Sequence, residues 1–85
     1  MTWRVVLTPT AVRERGRLEA PVRRRIDEAL NALKDEPRPG SARKLVGRRH
    51  DWRLRIGDHR VLYEVDDRDH IITVWRIAHR RDAYR

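Results

Sequence analysis

The dipeptide Gly57-Asp58 constrains the fold of this chain more than any other feature of its sequence. It stands between two β-prone runs, Trp52–Ile56 and Arg60–Val65. A two-residue connection of this kind predicts a β-hairpin, with glycine supplying the positive φ of a type II′ turn. The loop length also fixes the register: Ile56 pairs with His59, Leu54 with Val61 and Trp52 with Tyr63, all on one face. That face is apolar enough to form the dry side of a sheet. On the other face Arg55 lies opposite Arg60, and Arg53 opposite Leu62. Like charges directly across a strand pair cost roughly 0.2–1 kcal/mol. A fold keeps Arg53, Arg55 and Arg60 together when an anion belongs among them, so this face reads as an anion-binding surface.

The remaining elements follow from local pattern. Trp3–Leu7 (WRVVL) is β-branched and aromatic and predicts a strand. Thr8-Pro9 supplies an N-cap and a proline at the first helical position, opening a short helix that Gly16 weakens. Pro21 marks a second helix start. From there Val22, Ile26, Ala29, Leu30 and Leu33 recur at helical spacing as one apolar stripe, with Arg23, Arg24, Asp27, Glu28 and Asn31 on the other faces. Pro37 ends this helix, and Pro39-Gly40-Ser41 forms a loop. Ile71–Ala78 is a further strand, entered through a turn at Asp66–Asp69. The register that keeps Arg76 out of the core points Trp75 and Ile77 inward and places Arg76 with Arg53, Arg55 and Arg60. The order is β-α-α-β-β-β. It predicts an α+β fold with a helical hairpin packed on one face of a four-stranded, mainly antiparallel sheet. Residues 1–85 are expected to make one domain.

Charge points the same way. There are 21 basic residues against 13 acidic ones, a net charge of +8, and every basic residue except Lys34 and Lys44 is arginine. Residues 38–60 hold a net +6 and residues 76–85 a net +3, whereas 61–75 come to −3. Arginine keeps its charge at all relevant pH values and grips phosphate with a planar fork. A field this positive argues for a polyanion or an acidic protein as partner. After the last strand, His79, Arg80, Arg81 and Tyr84 are expected near the same surface, where an aromatic ring among arginines suits base stacking and phosphate contact.

Other chemistries find no support. The absence of cysteine excludes a disulfide framework, a thiolate zinc site and a cysteine nucleophile. The histidines at 50, 59, 70 and 79 show no metal-ligand spacing, and His59 reads as a surface residue beside the turn. The glycines form no phosphate loop, and Ser41, the only serine, sits in no nucleophile elbow. No apolar run approaches the ~20 residues that span a bilayer, and the N-terminal apolar stretch is too short for a signal peptide. A cytoplasmic location without membrane contact is expected.

Three runs carry a family resemblance. They are Lys44-Leu45-Val46-Gly47, then Trp52-Arg53-Leu54-Arg55-Ile56-Gly57-Asp58-His59-Arg60-Val61-Leu62-Tyr63-Glu64-Val65, then Ala78-His79-Arg80-Arg81-Asp82-Ala83-Tyr84-Arg85. Together they resemble the RelE/ParE toxin superfamily of type II toxin–antitoxin pairs, whose fold is the β-α-α-β-β-β arrangement reached above. The proline-broken helix pair and the Pro37/Pro39 loop extend the resemblance over nearly all of the chain.

RelE-type members are ribosome-dependent endoribonucleases that cut mRNA in the A site; ParE-type members inhibit DNA gyrase and lack the nuclease residues. The resemblance places the nuclease positions at Arg53 and Arg55 on the second strand, Arg60 on the third, Arg80 after the last strand, and Tyr84 in the tail. All five hold suitable residues, although well-studied members carry lysine where Arg53 and Arg55 stand. This favours an mRNA interferase, with a ParE-type gyrase inhibitor as the alternative. The implied reaction needs no metal or other cofactor: a ribose 2′-OH attacks the adjacent phosphorus in line and expels the 5′-oxygen. The arginines would supply charge, but with a pKa above ~12 they make poor general bases. His79 is then the candidate acid/base, and Tyr84 would stack on or orient a base. Arg43, Lys44, Arg48, Arg49, Arg76 and Arg81 are the further residues expected to contact RNA. The expected partners are mRNA, the ribosomal A site and an acidic cognate antitoxin.

Overall fold

A computed structural model describes residues 2–47 and 50–82. Strand β1 (Arg4–Leu7) ends at Thr8, whose extended backbone and side chain cap helix α1 (Pro9–Gly16): the Thr8 hydroxyl accepts the Ala11 N–H at 3.2 Å. Proline stands at the start of the helix, where its missing N–H costs nothing. A three-residue elbow leads into α2 (Ala20–Leu33), with Pro21 in its first turn. The expected stripe faces the sheet. Ile26, Leu30 and Leu33 are buried, and Val22 and Ala29 pack against them.

The sheet has five strands, one more than the four expected from sequence. Besides β1 it contains β2 (Ala42–Lys44), β3 (Asp51–Ile56), β4 (His59–Asp66) and β5 (Ile71–His79), in the order β1-β5-β4-β3-β2. β1 runs parallel to β5 and all other pairs are antiparallel. The extra strand is three residues long and lies at an edge, where it pairs Ala42 with Leu54, Arg43 with Arg53 and Lys44 with Trp52. So short a run has no periodicity of its own; β3 recruits it through backbone hydrogen bonds.

The hairpin register is the expected one throughout, including Arg55 opposite Arg60 and Arg53 opposite Leu62. Gly57 has φ 59°, as the turn requires. The last strand departs from simple alternation. Leu62 faces Arg76 but Tyr63 faces Val74, so Trp75 is the extra residue of a β-bulge. The bulge shifts parity: Val74 and Ile77 point into the core, and the half-buried Trp75, expected inward beside Ile77, lies outside the core cluster.

Tyr63 anchors the core to the loop that follows α2. It is fully buried, and its hydroxyl donates to the Pro37 carbonyl at 2.8 Å. Burial pushes its phenol up to about 12, partly offset by the charge of Arg38. The unfolded chain ionises this group near pH ~10, so its contribution is whole below that pH and declines as pH rises toward 12, by up to about 3 kcal/mol. We therefore expect melting scans at pH 8 and pH 11 to show a marked alkaline loss of stability. Tyr63→Phe should be less stable at pH 8 by ~1–2 kcal/mol, because the Pro37 carbonyl loses its donor, and should lose less between the two pH values. An equal alkaline loss in both proteins would count against this account. Among the described residues, no helix is long and apolar enough to cross a membrane.

Candidate nucleic-acid interface

The helices cover one face of the sheet, and strand alternation sends the arginines to the other. Two rows form there. Nearest the β3–β4 turn, Arg55, Arg60 and Ala78 are cross-strand neighbours; one step further, Arg43, Arg53, Leu62 and Arg76 follow across four strands. Ser41, Arg43, Arg53 and Arg55 line a cleft of about 360 Å³ at the β2 edge of this face. Arg43 is held in place there, its Nη1 donating to the carbonyls of Gly40 at 2.8 Å and Ala42 at 2.9 Å.

Arg60 is the unexpected member. On a face expected to be wet it is only 6% exposed, and its neighbour Leu62 is 1% exposed. Its Nη1 donates to the His59 carbonyl at 3.3 Å, and among the described residues it has no ion pair. Taking a guanidinium out of water costs several kcal/mol unless a counter-charge answers it. Here the surrounding groups on the face, Arg55 and Arg53, carry the same sign. An anion brought to this surface would meet a charge already stripped of much of its hydration.

Arg76 is differently placed. Its Nε pairs with Glu14 Oε2 at 3.0 Å, and Glu14 Oε1 accepts the Ile77 N–H at 2.8 Å. β1 stops at Leu7, so the outer edge of β5 beyond Val74 has no strand beside it, and a carboxylate from α1 takes over the acceptor role. Arg76 is thereby fixed to α1 instead of being spread over the open face. Glu14 is the residue that sequence reasoning missed: it lies 62 positions from Arg76, and no local pattern links them.

The expected cluster after β5 divides. Arg80 is exposed, and its N–H donates to the Asp58 carbonyl at 2.7 Å, which ties the segment to the β3–β4 turn beside the Arg55/Arg60 pair. Arg81 is exposed, and its N–H donates to His79 Nδ1 at 3.3 Å. His79, expected near the arginine surface, pairs with His59 and shares its face, the one the helices cover. The two rings meet edge to face at 5.6 Å. His59 is half-buried instead of lying on the surface, and burial lowers its pKa, reinforced by His79 and Arg25 and opposed by Asp58. Lys44 likewise falls on the helix-side parity, opposite Trp52. Thus Arg43, Arg53, Arg55 and Arg60 are brought together, Arg80 stands at the corner, and His79 and Lys44 lie on the far side. Arg48, Arg49 and Tyr84 fall outside the described residues.

Residues 5–84 match a family model described as the ParE toxin of type II toxin–antitoxin system, parDE. No curated protein is significantly similar in sequence. Among solved structures, the RelE–RelB complex of the archaeon Pyrococcus horikoshii is similar at 32% identity and TM-score 0.85, over 98% of this chain and 100% of that one. The RelBE2 toxin–antitoxin complex of Mycobacterium tuberculosis aligns at 26% identity and TM-score 0.80, over 93% of this chain and 99% of the other. The isolated RelE toxin of Escherichia coli shares the fold, with TM-score 0.81 at 21% identity over 98% of this chain and 86% of that one. Sequence match and fold agree over nearly the whole length: the chain belongs to the RelE/ParE superfamily, the toxins of type II toxin–antitoxin systems.

Proposed function

We propose that this toxin is a RelE-type endoribonuclease that cuts mRNA on the ribosome. The observation that carries the reading is the buried Arg60 guanidinium, without an acidic partner among the described residues and surrounded by Arg53 and Arg55. In the reaction the 2′-hydroxyl loses its proton to water as its oxygen bonds to phosphorus, the bond from phosphorus to the 5′-oxygen breaks, and the 5′-oxygen takes a proton from water, leaving a 2′,3′-cyclic phosphate and a 5′-hydroxyl. Negative charge builds on the non-bridging oxygens. Preorganised donors aimed at such charge typically contribute the largest share of rate enhancement. Arg53, Arg55 and Arg60 hold the scissile phosphate, Arg80 reaches it from the corner, and Arg43 and Arg81 hold the flanking strand. His79 acts as a positioning residue: its ring accepts the Arg81 N–H and braces the turn that presents Arg80. Tyr84 orients a base beside the cut.

The partner that silences this activity is an acidic antitoxin, in keeping with the antitoxin-bound relatives in Pyrococcus and Mycobacterium. Its acidic segment gains from steering and charge pairing with a +8 toxin. The name of the matching family model favours a second reading, a ParE-type gyrase inhibitor. Translation in a cell extract separates the two. The ribonuclease yields mRNA truncated at codons in the ribosomal A site and leaves gyrase supercoiling intact. Intact mRNA together with blocked supercoiling sinks the proposal.

A further inference from the structure

A second concentration of positive charge lies at the elbow between α1 and α2. Residues 13–25 hold six arginines against Glu14 and Glu19. Several of these charges are engaged inside the fold: Glu14 by Arg76 and the Ile77 amide, Arg15 by Asp27 through two hydrogen bonds of 2.7 Å, and Arg23 by the Leu18 carbonyl. Arg13, Arg17, Arg24 and Arg25 remain exposed and have no ion pair among the described residues. Arg13 donates to the Thr10 hydroxyl at 3.3 Å, and none of the four is held by a carboxylate among the described residues.

Position and composition say what fits them. Arg25 reaches the β3–β4 turn, its guanidinium lying 3.4 Å from where a Cβ on Gly57 would stand. The same turn holds the Arg80 amide and adjoins the Arg55/Arg60 pair. Arg25, the Arg80 segment and the Arg55/Arg60 pair thus all adjoin this turn, where Asp58 is the exposed acidic residue, and a single continuous polyanion can pass from the elbow to the sheet face. No aromatic residue occurs between Thr8 and Lys34. The elbow thus offers forks for phosphate but no ring on which an unpaired base could stack, a combination suited to a duplex whose bases are already stacked on each other.

We infer that Arg13, Arg17, Arg24 and Arg25 grip the sugar–phosphate backbone of base-paired RNA while the open sheet face acts on an unpaired strand. The second half of this statement rests on the ribonuclease reading; the first does not. The test uses Arg17→Gln/Arg24→Gln, two exposed positions off the cleavage face, with melting scans expected to match the parent. The full-length proteins are titrated onto a fluorescein-labelled RNA hairpin with a long stem and onto an unpaired oligonucleotide of equal length, across a salt series. Hairpin affinity should fall at least ~10-fold, the slope of log K against log salt should become shallower by roughly 0.7–0.9 per lost contact, and binding of the unpaired strand should change little. Unchanged hairpin binding, equal weakening of both RNAs, or a loss confined to antitoxin binding overturns the inference. A parent protein that binds the hairpin but cuts no mRNA in a translating extract overturns the ribonuclease reading and leaves the elbow site standing.

Discussion

Arg60→Met should abolish mRNA truncation in a translating extract while leaving the melting temperature unchanged or higher. The two halves of this expectation have one cause. The guanidinium is buried without a carboxylate partner among the described residues, so folding bears its desolvation and recovers little. A side chain of similar length with no charge removes that cost and keeps most of the packing, whereas alanine would add a cavity. The catalytic loss follows from the proposed role. Removing one preorganised donor to developing negative charge typically costs 10²–10³ in rate. Arg55→Met, at an exposed position on the same face, should also reduce cutting with little change in stability. If Arg60→Met lowers the melting temperature by ten degrees or more, Arg60 is a structural residue and the anion-site reading fails.

The largest stability effect is expected at Glu14. Its two oxygens accept the Ile77 N–H and the Arg76 Nε, and both side chains of the pair are mostly buried. Glu14→Ala leaves a β5 amide without its acceptor and removes the carboxylate that pairs with the Arg76 Nε. We expect a loss of ~2–4 kcal/mol, which in a domain of this size lowers the melting temperature by roughly 10–20 °C. Glu14→Gln should recover about half, because its carbonyl oxygen can still accept the Ile77 N–H. Denaturant unfolding of the three proteins checks this order. A Glu14→Ala protein as stable as the parent would show that α1 is held by its apolar contacts alone.

The parts of this molecule legible in sequence are those decided by neighbours along the chain. Gly57 and the flanking alternation set the hairpin register, Thr8-Pro9 set the start of α1, and the spacing from Val22 to Leu33 set the buried face of α2. The parts that were not legible are decided across the chain. β2 is a strand because β3 stands beside it, and nothing in Ala42-Arg43-Lys44 announces that. The bulge at Trp75 reverses the parity of β5 partway along, so alternation followed from either end misplaces a residue at the other. Its place next to Arg80 in sequence suggests the arginine surface for His79, yet as the last residue of β5, three steps beyond Arg76, it falls on the opposite face. Among the candidate site residues, Arg53, Arg55 and Arg60 could be grouped from sequence because the hairpin register alone places them. The burial of Arg60 and the capture of Arg76 by Glu14 depend on elements joined only in the folded state.

The sheet order has a consequence for how this toxin comes into being. β5 lies between β1 and β4, yet it is translated after every other strand and both helices. Until Ile71–His79 has been made, β1 has no strand beside it and β4 presents an open edge, so the apolar face of the sheet is only partly assembled. Contacts that span most of a chain are slow to form because the intervening loop must close first. Until that strand is available the five-stranded sheet cannot close. In that interval apolar residues that β5 later covers, such as Val61 and Val65 of β4, stand open to proteases.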